Sequence, residues 1–322
     1  MINQEMMIPV RARQNTPVTN LFIKIVSKDQ QSLTSKPFTF ILPGGPGCNH
    51  TDYQDYATLT DVTNVIFFDP RGCGRSDIGP YQTYNVDTTV EDLSYVQNYL
   101  GIQKAIFLGK SFGTIYAMVY AMRHPEQISS LILAASMYKD EDPLIGHQYV
   151  LEHGTNAQID IEKLSFNQSN GDVMQGLLDD TEILYSWKKS RGLPVNHRVP
   201  YPYIPGSRVV GECVNNAFTN TDYSNELSKI HCNTLILVGK EDMITPHEDS
   251  EFLAKHIKRN TLVIFPNSGH TMETDVPVDF YNAIRYFIAQ ENGLRRSPRF
   301  FDRYQPAVSE NVEPMQIDRL AP

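Results

Sequence analysis

The stretch Ala105-Ile-Phe-Leu-Gly109-Lys110-Ser111-Phe112-Gly113-Thr-Ile-Tyr-Ala-Met118 decides the fold. It opens with a short apolar run of strand type. After Gly113 a helical pattern begins, running to about Arg123 and stopping before Pro125. Only a G-x-S-x-G turn stands between the two. So tight a turn forces its serine into a strained backbone conformation and lifts the hydroxyl clear of the main chain. The positive end of the following helix is then aimed at it. Gly109 and Gly113 are small because strand and helix must approach closely there. An incidental serine in a loop would need a loop for which the sequence leaves no room.

Further short apolar runs lie on either side, at Leu21–Val26, Phe38–Leu42, Val65–Phe68, Leu131–Ala134, Thr234–Val238 and Thr261–Phe265. They alternate with helical patterns, one opening at Thr88-Thr-Val-Glu91 as a capping box and ending near Gly101. The alternation predicts an α/β chain with a mostly parallel sheet flanked by helices. From about Tyr138 to Ser228 it breaks down. That stretch is polar, holds the single tryptophan (Trp187) and contains the loop-like run Pro200–Gly206. It reads as a cap, or lid, inserted over the sheet. The expected organisation is a core in two parts, 1–137 and 229–292, a cap at 138–228 and a tail at 293–322.

At 322 residues the chain is long enough for one large core with one insertion. Hydrophobic residues make up 41% and charged residues 20%, and the net charge is −9, a balance that disfavours nucleic acid as a partner. No run approaches the roughly 20 apolar residues of a membrane helix, and the N-terminus lacks a signal-peptide stretch, so the chain reads as cytoplasmic with no membrane partner. Cys48, Cys73, Cys213 and Cys232 form no C-x-x-C pair and read as free thiols. No metal constellation, dinucleotide fingerprint or phosphate cradle is present, so no cofactor is expected. Composition leaves the oligomeric state open.

A serine hydroxyl needs a base, and the base needs a group to orient it. On a scaffold with this elbow the order along the chain is serine, acid, histidine. Downstream, the strand Leu235-Ile-Leu-Val-Gly239 leads into Lys240-Glu-Asp242, and Asp242 is the expected acid, with Glu241 an alternative if the turn is rotated. After Leu262-Val-Ile-Phe265 comes Asn267-Ser-Gly-His270, which puts His270 on a short loop as the base. Asp242 could instead cap the helix near Pro246. The tetrahedral oxyanion requires backbone N–H donors. Phe112, directly after the serine, is one candidate, and Gly45 in Pro43-Gly-Gly-Pro-Gly47 is the other. Lys110, beside the serine, either tunes the substrate charge that is accepted or points to solvent or an acid.

These motifs, with Asp69-Pro-Arg-Gly-Cys-Gly-Arg-Ser76 and Tyr120-Ala-Met-Arg-His-Pro-Glu126, resemble the prolyl (proline) iminopeptidases of the α/β-hydrolase superfamily. The resemblance covers about 40–136 and 230–290. It implies an α/β-hydrolase fold and a serine peptidase that releases an N-terminal residue, often proline, from short peptides. It also implies cap carboxylates that bind the substrate amine, for which Glu212, Glu182 and Glu152 are the candidates. The family's Glu-Asn-His-Tyr-Phe cap run is missing here, and Pro43 stands where a histidine is common. Asp69 and Arg71 are expected to pair and brace the loops around the site.

Two other readings remain open. A carboxylesterase, or another small-molecule acyl hydrolase, would use the same three residues. A ligand-binding protein on the same scaffold would have no need of them. Haloalkane or epoxide chemistry would want a carboxylate where Ser111 stands.

Overall fold

In the computed structural model, residues 1–11, 18–140, 143–167, 182–195, 203–291 and 293 are described. Eight strands form one sheet in the order β1-β2-β4-β3-β5-β6-β7-β8. They are β1 (Ile2–Val10), β2 (Thr19–Ser27), β3 (Phe38–Leu42), β4 (Asn64–Phe68), β5 (Ala105–Lys110), β6 (Ile128–Ala134), β7 (Asn233–Gly239) and β8 (Asn260–Phe265). From β4 to β8 every neighbouring pair is parallel; β1 and β2 extend the sheet antiparallel. Seven of the strands coincide with the apolar runs of the sequence. β1 does not, because it is an edge strand whose residues 2–7 all keep contact with solvent. Its sequence therefore carries no buried pattern, and Pro9 sits where only an edge tolerates it.

The parallel strands are buried on both faces, and successive residues serve opposite layers. Phe40, Leu42 and Phe107 pack with Val90, Leu93 and Val96 of the helix Val86–Tyr99 and with the helix Gly113–Arg123. Ile41, Ile106 and Leu108 pack on the opposite face with Tyr56 and Leu59 and with Phe280, Ile284 and Phe287 of the helix Pro277–Glu291. Burying each such side chain contributes about 1.5–3 kcal/mol. The first of these helices starts earlier than its apparent capping box. Asn85 is the N-cap, its side chain accepting the Thr88 N–H at 2.8 Å. Gly101 follows that helix at φ 69°.

Every parallel strand ends at the same rim of the sheet. Connections leave β3 and β5 in opposite directions, so a crevice opens between their C-terminal ends, where α/β proteins place their ligands. Between β6 and β7 the described residues include the helices Pro143–His153, Asn156–Asn167 and Arg208–Phe218. Val150 and Leu184 from this stretch form a small apolar cluster with Met243. The residues 203–206 of the proline-rich run are irregular, and residues 200–202 lie outside the described set, as does the tail beyond 293. The four cysteines are free thiols. Among the described residues, no helix is long and apolar enough to cross a membrane.

Candidate active site

Ser111 caps the end of β5 with φ 55°, in the left-handed region that L-residues rarely adopt. Such a residue costs roughly 1–3 kcal/mol and persists only where its surroundings hold it. Here its N–H donates to Ala134 O at 2.9 Å, and its own carbonyl accepts Thr114 N–H and the Thr114 hydroxyl at 2.9 and 2.7 Å. Both flanking glycines are sterically required. A Cβ on Gly109 would collide with the carbonyl of Gly113, and one on Gly113 with that of Leu42.

The loop after β3 runs directly against this turn. A Cβ on Gly44 would stand 2.9 Å from Ser111 Cβ, and the Gly44 N–H donates to the Tyr53 hydroxyl at 2.8 Å. Among the described residues, the N–H groups of Gly45 and Phe112 have no protein acceptor. The two donors expected from the sequence are thus unengaged on loops that touch, whereas Gly44 has already given up its own.

After β7, Asp242 is fully buried, and its carboxylate lies 3.0 and 3.1 Å from His270 Nδ1. It also accepts the N–H groups of Ile244 and Thr245 and the Thr245 hydroxyl, each at 2.9 Å. Thr245 Oγ1 lies 3.2 Å from the same ring nitrogen. Glu241, the alternative acid, turns away and accepts the Ser268 N–H at 3.2 Å. Burial alone would raise the Asp242 carboxyl, but His270, Lys110 and the Thr245 N–H hold it below the usual carboxylate value. His270 titrates below its ordinary 6.5, first because it is buried and then because of Lys110, with Asp242 and Glu273 opposing. The imidazole is therefore neutral at pH 7, with Nδ1 committed to Asp242 and Nε2 left available.

Lys110 does not face solvent. Only 3% exposed, it donates from Nζ to the His270 carbonyl, with Glu273 Oε2 at 3.9 Å. One side chain thus ties the residue before Ser111 to the backbone of His270. Sequence reasoning offered pairing with an acid as one reading of Lys110, and the acid is Glu273. Nothing in the sequence marks Glu273, and Thr245 is signalled only by standing three residues after the acid.

The expected pairing of Asp69 with Arg71 is not found. Asp69 accepts His50 Nδ1 at 2.8 Å, the His50 N–H at 2.7 Å and the Arg75 N–H at 2.9 Å. Arg71 instead makes a two-pronged pair with Asp92, at 2.6 and 2.7 Å, inside the layer of the helix Val86–Tyr99. Pro70 separates the two residues and the chain turns at Arg71, so each finds a partner from a different element.

The three candidate amine ligands are more than half exposed, and each is held by a neighbour on its own segment. Glu212 pairs with Arg208, Glu182 with Lys189, and Glu152 accepts from Gln148. None shares a hydrogen bond or ion pair with Ser111, Asp242 or His270 among the described residues. The group that does reach His270 from this stretch is Tyr185, whose ring stands edge-on to the imidazole at 5.3 Å. Among the described residues, no three His, Cys, Asp or Glu side chains are grouped to hold a metal ion.

The model of the alpha/beta hydrolase fold family matches residues 40–272, which span Ser111, Asp242 and His270. The chain belongs to that family. It is similar to the proline iminopeptidase of Saccharolobus solfataricus, 31% identical over 79% of this chain and 85% of that one. A putative carbamate hydrolase of Pseudomonas syringae is 24% identical over 79% of this chain and 94% of its own length. Among solved structures, the proline iminopeptidase of Mycobacterium smegmatis superposes with a TM-score of 0.66 over 89% of this chain and 99% of that one. At 17% identity, that likeness bears on the fold alone. This α/β hydrolase is thus a relative of the proline iminopeptidases, and it is also similar to putative carbamate hydrolases.

Proposed function

We propose that the chain is a serine aminopeptidase that releases an N-terminal proline or small apolar residue from short peptides through an acyl-enzyme. The observation that carries this reading is the buried Asp242–His270 pair, tied through Lys110 to a serine held at φ 55° on a strand-to-helix turn. Ser111 Oγ attacks the carbonyl carbon as His270 Nε2 takes its proton. Asp242 holds Nδ1–H, fixing the tautomer and stabilising the imidazolium that forms. The N–H groups of Phe112 and Gly45 take the oxyanion, each donor worth about 3–4 kcal/mol. His270 then protonates the leaving amine, and water repeats the sequence on the acyl-enzyme. In this reading residues 138–228 are a cap over the crevice and select the substrate. The likeness to curated proline iminopeptidases supports the peptide substrate.

One observation favours a second reading. Glu212, Glu182 and Glu152 each pair with a neighbour on their own segment and share no hydrogen bond or ion pair with Ser111 or His270 among the described residues, which leaves a free amine without an evident carboxylate. The same machinery would then serve a carboxylesterase or other small acyl hydrolase. Chromogenic prolyl and alanyl amides, free and N-blocked, run beside short-chain acyl esters, separate the two. Turnover of the free-amine amides that is lost on blocking establishes the aminopeptidase. Ester turnover without amide turnover refutes it.

A further inference from the structure

Five residues beyond His270, Asp275 is 3% exposed and closes the single helical turn Met272–Asp275. It does not touch the imidazole. Its two oxygens instead collect four donors from two separate parts of the chain. Oδ2 accepts the N–H of Gly269, the residue before His270, at 2.8 Å and that of Trp187 at 2.9 Å. Oδ1 accepts the Ser186 hydroxyl at 2.6 Å and the Lys188 N–H at 3.0 Å. One donor belongs to the histidine loop and three to the stretch between β6 and β7.

A second strap lies on the other side of His270. The N–H and hydroxyl of Thr271 donate to the Tyr185 carbonyl at 2.9 and 3.2 Å. The neighbours of His270 are therefore both tied to residues 185–188, Thr271 directly and Gly269 through Asp275. The fit leaves no slack: a Cβ on Gly269 would stand 2.7 Å from Tyr185 O and 3.2 Å from Trp187 N. A buried carboxylate with charge-assisted bonds to main-chain N–H groups is satisfied only while all its donors are in place. If residues 186–188 withdrew, Asp275 would keep Gly269 alone, a buried charge with most of its partners gone.

We infer that Asp275 is a positioning residue that makes the segment 185–188 part of the mount of His270, so that the imidazole is correctly aimed only while that segment is seated. The inference rests on the reading of His270 as general base. Seating of a stretch that packs on the histidine loop and alignment of the base become one event. A base displaced by about 1 Å loses on the order of 10²-fold in rate.

The test uses the full chain and the variants Asp275→Asn and Ser186→Ala, with His270→Ala as control. Three quantities are read: kcat and KM on 4-nitrophenyl acetate, the rate of Ser111 labelling by a fluorophosphonate, and the downfield proton resonance of His270 Nδ1–H. Asp275→Asn is expected to lower kcat and labelling by about 10²-fold with KM little changed, and to shift or broaden the resonance. Ser186→Ala, which removes one donor only, moves all three in the same direction by less. A folded Asp275→Asn with wild-type kcat and resonance, or a loss confined to KM, overturns the inference. If Asp275→Asn does not fold, Ser186→Ala decides: unchanged kcat and resonance overturn it. An inactive His270→Ala beside an unaffected Asp275→Asn sinks this inference alone, whereas an active His270→Ala sinks the base assignment beneath it.

Discussion

Two buried histidine–aspartate pairs stand at the same rim of the sheet, His270 with Asp242 and His50 with Asp69, and by distance they are alike, at 3.0 and 2.8 Å. Their surroundings differ. Asp69 also binds the His50 and Arg75 N–H groups, so it staples the loop after β3 to the loop after β4, and the His50 ring packs on Phe22 with centroids 4.7 Å apart. His270 sits on a loop joined through Lys110 to the turn that carries Ser111. A short imidazole–carboxylate contact therefore does not by itself mark a general base. What marks one is a candidate nucleophile on an adjoining loop. The first pair is read as a brace and the second as the chemical site.

The contrast breaks most sharply at the nucleophile. Ser111→Ala should abolish turnover, by about 10⁶-fold, while leaving the urea midpoint near wild type; residual activity within tenfold would remove the serine mechanism. Asp242→Asn should cost about 10⁴-fold in kcat with the fold intact, because the wrong tautomer is then presented to Ser111. His50→Gln should show the opposite signature. Loss of the buried partner of Asp69 should lower unfolding free energy by about 3 kcal/mol in urea titration, with kcat of the folded enzyme changed only a few-fold. A collapse of kcat in stable His50→Gln would end the distinction between brace and site.

The smallest effect sharpens the comparison by pH. His270 must be neutral to accept a proton, so activity falls as pH drops through its pKa, which lies below 6.5 because of burial and then Lys110. Lys110→Met removes a cation that disfavours the imidazolium. The acid limb of kcat/KM should therefore move to higher pH, with the plateau altered least. A limb that stays in place, or moves down, would show that Lys110 acts through its bond to the His270 carbonyl and not through its charge.

How much of this was legible in the chain depended on how locally each feature was encoded. The elbow and its glycines were readable because strand, turn and helix are consecutive and the collision that excludes a Cβ lies within four residues of Gly109. Asp242 and His270 were readable from the strands that precede them. β1 escaped because an exposed edge leaves no burial pattern. The helix start was misplaced because Asn85, not Thr88, offers the acceptor that the first turn needs. The cap carboxylates carry no sequence signal beyond their acidity, and each pairs with a neighbour on its own segment.

A mostly parallel sheet covered on both faces, and the order of serine, acid and histidine at its rim, follow from the sequence, because apolar runs and tight turns act over a few residues. Which partner each buried charge takes is set by how distant elements pack. Arg71 goes to Asp92, Asp69 to His50, Lys110 to the His270 carbonyl and Asp275 to the 186–188 backbone. These bonds join elements 19 to 160 residues apart. A buried charge must find donors or acceptors wherever packing brings them, and packing is a property of the whole chain.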